Sequence, residues 1–146
     1  MLDGVSPLLS PDLLATLCRM GHGDEIVLAD AHFPGEDLAR RLLRADGVAI
    51  APLLDAIAPL FPLDAYVPAP VAMMAAVAGD ELDPRVETSY RATLERHRPG
   101  FGAIERVERF AFYERTRGAF AVVITGDTAK YGNVLLKKGL CLRTTV

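Results

Sequence analysis

Residues 10–35 read SPDLLATLCRMGHGDEIVLADAHFPG, in which a capped apolar stripe runs into a cluster of ionisable side chains and then a short branched run. Ser10 offers a side-chain oxygen to the free amides of a helix start, and Pro11 suits the first helical position. Leu13, Leu14 and Leu17 recur at helical spacing, and Gly21 is placed to end the helix in the left-handed conformation. The run EIVLA (25–29) is short, apolar and bounded by polar residues, so it predicts a buried strand. Helix followed by buried strand is the pattern of a layered fold, and the rest of the chain repeats it.

FPGEDLARRLL (33–43) reads as a turn and a short helix, and GVAIAPLLDAIAPLFP (47–62) as a brief strand and then a helix stopped by Pro62. VAMMAAVAG (71–79) predicts a central strand. DPRVETSYRATLERHRPG (83–100) predicts a helix capped by Asp83, opened by Pro84 and ended by Pro99-Gly100. A charged strand IERVER, a helix FAFYERTRG, a strand AFAVVIT and a loop GDTAKYGN leading into a final strand complete the chain. Strands alternating with helices predict an α/β fold, one domain spanning residues 1–146, its sheet covered on both faces.

The 146 residues are 51% hydrophobic and 24% charged, ordinary globular proportions rather than those of a disordered chain. A net charge of −3 without a basic block gives no footing for nucleic acid. The longest apolar stretches are too short and too proline-broken to span a bilayer, so no membrane partner is expected. The two cysteines lie far apart, and with no leader sequence visible they suggest a reducing cytoplasm; Cys18, among apolar neighbours, reads as a small core residue.

Familiar chemical motifs are largely missing. GHGDEI lacks the third glycine of a dinucleotide fingerprint, and GDTAKYGN lacks the lysine and hydroxyl of a phosphate loop. His22 sits after a helix C-terminus, where the dipole alone favours an imidazolium. Flanked by Gly21 and Gly23, it is equally placed to reach a sheet lip and exchange protons near neutral pH. Asp30 ends the strand and either caps its own turn or faces a ligand. With His22 and His32 it would supply three metal donors, a weak spacing with no second cluster behind it. Arg109 and Tyr113 lie four apart on one helix face; a solvated surface explains them as well as a site does. The same holds for Tyr131 and Asn133 in a turn. Taken together, these side chains suit a neutral polyol better than a phosphate.

The sequence resembles the bacterial L-fucose mutarotase family, related to D-ribose pyranase. The resemblance covers nearly the whole chain and is carried by SPLLSPDLL, MGHGDEIVLADAHFP, RADG, LLDAIAPLFPLD, ELDP, RFAFYER and FAVVITGDTAKYGNVLLKKG. It implies a three-layer α/β/α fold with a mixed sheet, assembly into ring-like homo-oligomers, commonly decamers, and interconversion of monosaccharide anomers. It places His22 of GHGD as the catalytic histidine. Asp30, Arg109, Tyr131 and Asn133 correspond to sugar-contacting residues, with Tyr113 of FYER a weaker candidate. ERHRPGFGAIERVE is the least similar stretch, so Arg109 is placed by motif rather than by counting.

Such a reaction removes the anomeric hydroxyl proton while the ring oxygen gains one. Rotation about the freed aldehyde carbon and reversal of the transfers then give the other anomer. Nothing is oxidised and no group leaves, so no cofactor and no metal are expected. His22 is expected to donate the proton to the ring oxygen, and Asp30 to orient it or to bind a hydroxyl. The rival readings are pyranose–furanose interconversion, a non-catalytic sugar-binding module, and a metal-dependent hydrolase built on His22, Asp30 and His32.

Overall fold

A computed structural model describes residues 1–143; the last three residues of the expected 1–146 domain lie outside it. The elements in chain order are α1 (Pro11–Arg19), β1 (Glu25–Ala29), α2 (Gly35–Leu38), β2 (Leu42–Ala45), α3 (Ile50–Ile57), β3 (Val71–Met74), α4 (Pro84–His97), β4 (Ile104–Val107), α5 (Arg109–Gly118), β5 (Ala121–Thr125) and β6 (Val134–Lys137). A single 3-10 turn, Ala58–Leu60, prolongs α3.

The six strands form one sheet in the order β2-β5-β1-β6-β3-β4. β1, β2 and β5 run parallel to one another, and β3 is parallel to β4. β6 alone is reversed and lies between β1 and β3, with Leu28 and Met73 both opposite Val134. The sheet is therefore mixed, as the resemblance implies.

Alternation along the strands sorts the core into two layers. Ile26, Leu28, Met73, Val123 and Leu136 face α1, α3 and α4, meeting Leu13, Leu17, Leu53, Ile57 and Leu94. Val27, Ala29, Ala72, Val122 and Leu135 face the opposite way, toward Phe33, Leu38 and Phe112. Helices thus cover both faces, giving the expected three layers.

Ser10 caps α1 by accepting from the Leu13 N–H at 3.1 Å, and Asp83 caps α4 by accepting from the Arg85 N–H at 3.0 Å. Three local expectations need correction. Gly21 does not end α1: Met20 leaves the helix in an extended conformation and buries its side chain, and the positive φ (85°) belongs to Gly23. Cys18 is exposed, because α1 buries Leu13, Thr16 and Leu17 and turns the next position outward. The brief strand expected at the start of 47–62 is displaced to β2, where Leu42–Ala45 pair with Val122–Thr125. A turn closed by the Val48 N–H on the Ala45 carbonyl (3.0 Å) occupies its place. The short helix expected after the turn in 33–43 is present as the four residues of α2, ended where pairing of β2 begins.

Phe112, fully buried, pins α5 to the sheet beside Phe33, whose ring meets it edge-on at 6.2 Å between centroids. Phe112→Ala is expected to cost about 3–5 kcal/mol. Equilibrium denaturation should show this as a lower midpoint with an unchanged slope.

Candidate functional site

The reversed strand places the site. β1 and β3 end where β6 begins, so the residues after β1, the residues after β3 and the loop before β6 meet at one edge of the sheet. Asn133, 3% exposed, joins two of these segments: its side-chain oxygen accepts from the Asp30 N–H at 2.7 Å. That bond leaves the NH2 group of the amide for a ligand. Asp30 in turn accepts from the His32 N–H at 2.8 Å, so it holds its own turn and still keeps acceptor capacity.

Tyr131 adopts a left-handed φ of 56°, the only positive φ outside glycine among the described residues. Gly132 beside it passes close to Ala129 and Tyr90, so that a Cβ there would press against the Ala129 carbonyl at 3.0 Å. Tyr90, buried on α4, donates to the Gly132 carbonyl at 2.8 Å and anchors the turn from the far layer; burial raises its phenol pKa above the ordinary value. Arg109 and Tyr113 share a face of α5, as their spacing predicts, the arginine Nε–H donating to the tyrosine oxygen at 3.3 Å. Glu108 caps that helix through the Phe110 and Ala111 N–H groups, both 3.0 Å away, which hold its carboxyl below the usual range.

These segments enclose an open cavity of about 300 Å³ lined by Asp30, Arg109, Tyr113, Tyr131 and Asn133, with Phe33 and Met74 among its apolar walls. Its size falls at the small end of the ~300–1,000 Å³ typical of small-molecule pockets. Lys130 at its rim is ion-paired to Asp80 at 2.7 Å. Five of the six candidate side chains are therefore brought together.

His22 is not with them. It precedes β1 whereas Asp30 follows it, and five residues at ~3.3 Å each put roughly 17 Å of strand between the two. The imidazole is 40% exposed, and its Nε2 lies 3.1 Å from Asp64, a 3% exposed carboxylate that also accepts from the Tyr66 N–H at 3.0 Å. The exposed Tyr66 ring lies 5.4 Å away. The end of β6 brings these residues together: Lys138 exchanges backbone bonds with Gly23 and Asp24, while Asp64 and Gly139 tie the 62–64 segment to the same strand end.

The helix-dipole explanation for His22 does not hold, because Lys138 takes that place, its ammonium donating to the Leu17 and Met20 carbonyls at 2.7 and 2.6 Å. Within one chain Asp64, not Asp30, orients His22. The trio His22, Asp30 and His32 is not assembled, and among the described residues no group of three or more His, Cys, Asp or Glu side chains could hold a metal.

The contacts of Asp64, Asp80 and Lys138 leave no signal in the sequence, since each is made only by folding. Tyr90 was within reach, because Val86, Tyr90 and Leu94 recur every four residues on an otherwise polar helix.

The fold and pocket define an α/β protein with a polar-lined cavity of small-molecule size at the strand ends of a mixed sheet. Residues 3–141 match the RbsD / FucU transport protein family, and the chain belongs to that family, on its L-fucose mutarotase side. It is 54% identical over 140 residues to the L-fucose mutarotase of Actinobacillus pleuropneumoniae serotype 5b, covering 96% of this chain and 97% of that protein. With the L-fucose mutarotase of Glaesserella parasuis the identity is 58%, over 96% of each chain. The fucose mutarotase of Streptococcus pneumoniae, solved in complex with L-fucose, superposes with a TM-score of 0.92 at 45% identity, covering 97% of this chain and 100% of that one. The RbsD of Bacillus subtilis, solved with D-ribose, shares the fold at 21% identity and a TM-score of 0.74, with coverage of 97% and 100%.

The Asp64 carboxyl lies below its ordinary value of 3.8, chiefly because the Tyr66 N–H donates to it and then because His22 does. A lowered carboxylate stabilises the fold above its unfolded pKa and loses that contribution as pH falls through the folded one. The thermal midpoint of wild type should therefore exceed that of Asp64→Asn near neutrality. The gap should close as the solution is acidified below 3.8. A gap constant down to strongly acid pH would disprove the charge contribution.

Proposed function

We propose that the protein is an L-fucose mutarotase, interconverting the α and β anomers of a free monosaccharide by acid–base opening and closing of the ring. The observation that carries this reading is the convergence of Asp30, Arg109, Tyr113, Tyr131 and Asn133 on one cavity, in a chain so close to L-fucose mutarotases. These groups suit a neutral, hydroxyl-bearing ring. The Asp30 carboxylate accepts, Arg109 and the Asn133 amide donate, and the tyrosine hydroxyls complete the set. Phe33 and Met74 offer apolar surface to the less polar side of a deoxy sugar.

Ring opening needs a group that gives a proton to the ring oxygen as the anomeric hydroxyl loses one. His22 has the suitable chemistry. Asp64 is ionised at neutral pH and can only accept, so the proton on Nε2 is held there and Nδ1 is the nitrogen free to exchange. Because His22 stands at the opposite end of β1 from the cavity, the donor reaches the sugar from a second copy of the chain. Its exposure and that of Tyr66 support a role at such a junction. A ring-like homo-oligomer provides the junction repeatedly. No step transfers an electron or expels a group, so neither cofactor nor metal is required. Among the described residues no helix is long and apolar enough to cross a membrane. The two free cysteines, Cys18 and Cys141, suit a reducing cytoplasm.

Saturation-transfer NMR between the anomeric proton signals of L-fucose tests the reading. Wild type should accelerate the exchange, and His22→Ala should lose about 10²–10⁴-fold, the usual worth of a positioned general acid. An unchanged rate would remove His22 from the mechanism. Exchange on D-ribose faster than on L-fucose would favour the pyranose–furanose reaction, and saturable sugar binding without exchange a binding module.

Mixing separately inactive His22→Ala and Arg109→Ala chains under conditions that let subunits exchange should restore part of the rate. A mixture as inactive as its components would mean that each site is built within one chain.

A further inference from the structure

The loop between β3 and α4 holds an acid that the acid–base chemistry does not use. Gly79, at a φ of 85°, turns this loop back so that the Asp80 N–H donates to the Val77 carbonyl at 3.0 Å. Val77 lines the cavity. Asp80 Oδ2 accepts from the Tyr131 hydroxyl at 2.8 Å and from the Lys130 ammonium at 2.7 Å, while its Oδ1 accepts from the Glu81 N–H at 2.9 Å. One carboxylate thus holds two neighbouring residues of the AKYGN loop. The residue it holds by the hydroxyl is the one with left-handed backbone, a conformation that a tyrosine keeps only when its surroundings dictate it.

We propose that Asp80 is a positioning residue which fixes Tyr131 as a hydrogen-bond acceptor toward the sugar, so that the hydroxyl read at this point must be a donor. This rests on the sugar-binding reading of the cavity. A phenol has one proton and two acceptor sites. The proton is committed to Asp80, and the Val77 N–H approaches one acceptor site at 3.4 Å. A single lone pair remains for a ligand. Lys130 first, then Tyr131 and the Glu81 N–H, hold the Asp80 carboxyl at about 2, so it accepts at any physiological pH and never reverses the bond.

The test compares KM for L-fucose and the exchange rate at saturation in wild type, Asp80→Ala, Asp80→Asn, Tyr131→Phe and the Asp80→Ala/Tyr131→Phe double variant. Thermal midpoints confirm that each variant is folded. Asp80→Ala should raise KM about tenfold, the effect of one charge-assisted hydrogen bond. Its saturated rate should stay within about twofold, because the proton-transfer groups are untouched. Asp80→Asn should recover most of the loss, since its amide oxygen still accepts. In the Tyr131→Phe background Asp80→Ala should add nothing further, the signature of two residues acting as one unit. An unchanged KM in Asp80→Ala, or a loss that repeats in full in the Tyr131→Phe background, overturns the proposal. A wild-type protein that neither binds L-fucose nor speeds its exchange refutes the sugar reading itself, and this proposal with it.

Discussion

The strand reversal at β6 governs everything built on this sheet. Were β6 parallel to its neighbours, its entry loop would lie at the far edge, beside His22 rather than beside Asp30. Because it runs antiparallel between β1 and β3, Tyr131 and Asn133 reach the edge where those strands end. The Asn133–Asp30 bond then ties the loop to the strand with a side chain acting as an extra rung of the ladder. A buried amide unable to make that bond would carry an uncompensated desolvation cost, so the bond also secures the register.

The same reversal organises the opposite edge. The end of β6 is gripped on one side by residues 23–24 and on the other by the 62–64 segment, which sets Asp64 against His22. Lys138, between them, neutralises the carbonyl end of α1 and frees the histidine from that task. One short strand therefore presents a polar-lined cavity at its start and a histidine–carboxylate pair at its finish. A monomer cannot bring the two ends together, because the sheet that creates them also separates them. Under the proposed mechanism repeated copies do so, which would give assembly a chemical purpose beyond added stability.

How far the site was legible depends on the distance over which each residue acts. Arg109 and Tyr113 are neighbours by helical periodicity, so their pairing could be read directly. Asp30 at the end of an apolar run was suggestive for the same local reason. The place of Tyr131 at the cavity was visible only through resemblance, since a YGN turn is common and its left-handed backbone leaves no mark on composition. Asp64 and Asp80 were silent. An aspartate in a loop looks alike whether it is solvated or holds a histidine 42 residues away, and contacts of that separation depend on strand order.

Local chemistry in the sequence determined the capped helices α1 and α4, the buried runs of β1, β3 and β5, and the α/β class, because caps and hydrophobic period act within a few residues. It also determined which side chains were chemically able to bind a polyol. Tertiary structure decided the extent of β2, the outward turn of Cys18, the reversal of β6 and the separation of His22 from the pocket. Each of these rests on hydrogen bonds and packing between segments distant in the chain, where the energy of pairing outweighs the preference of any short stretch.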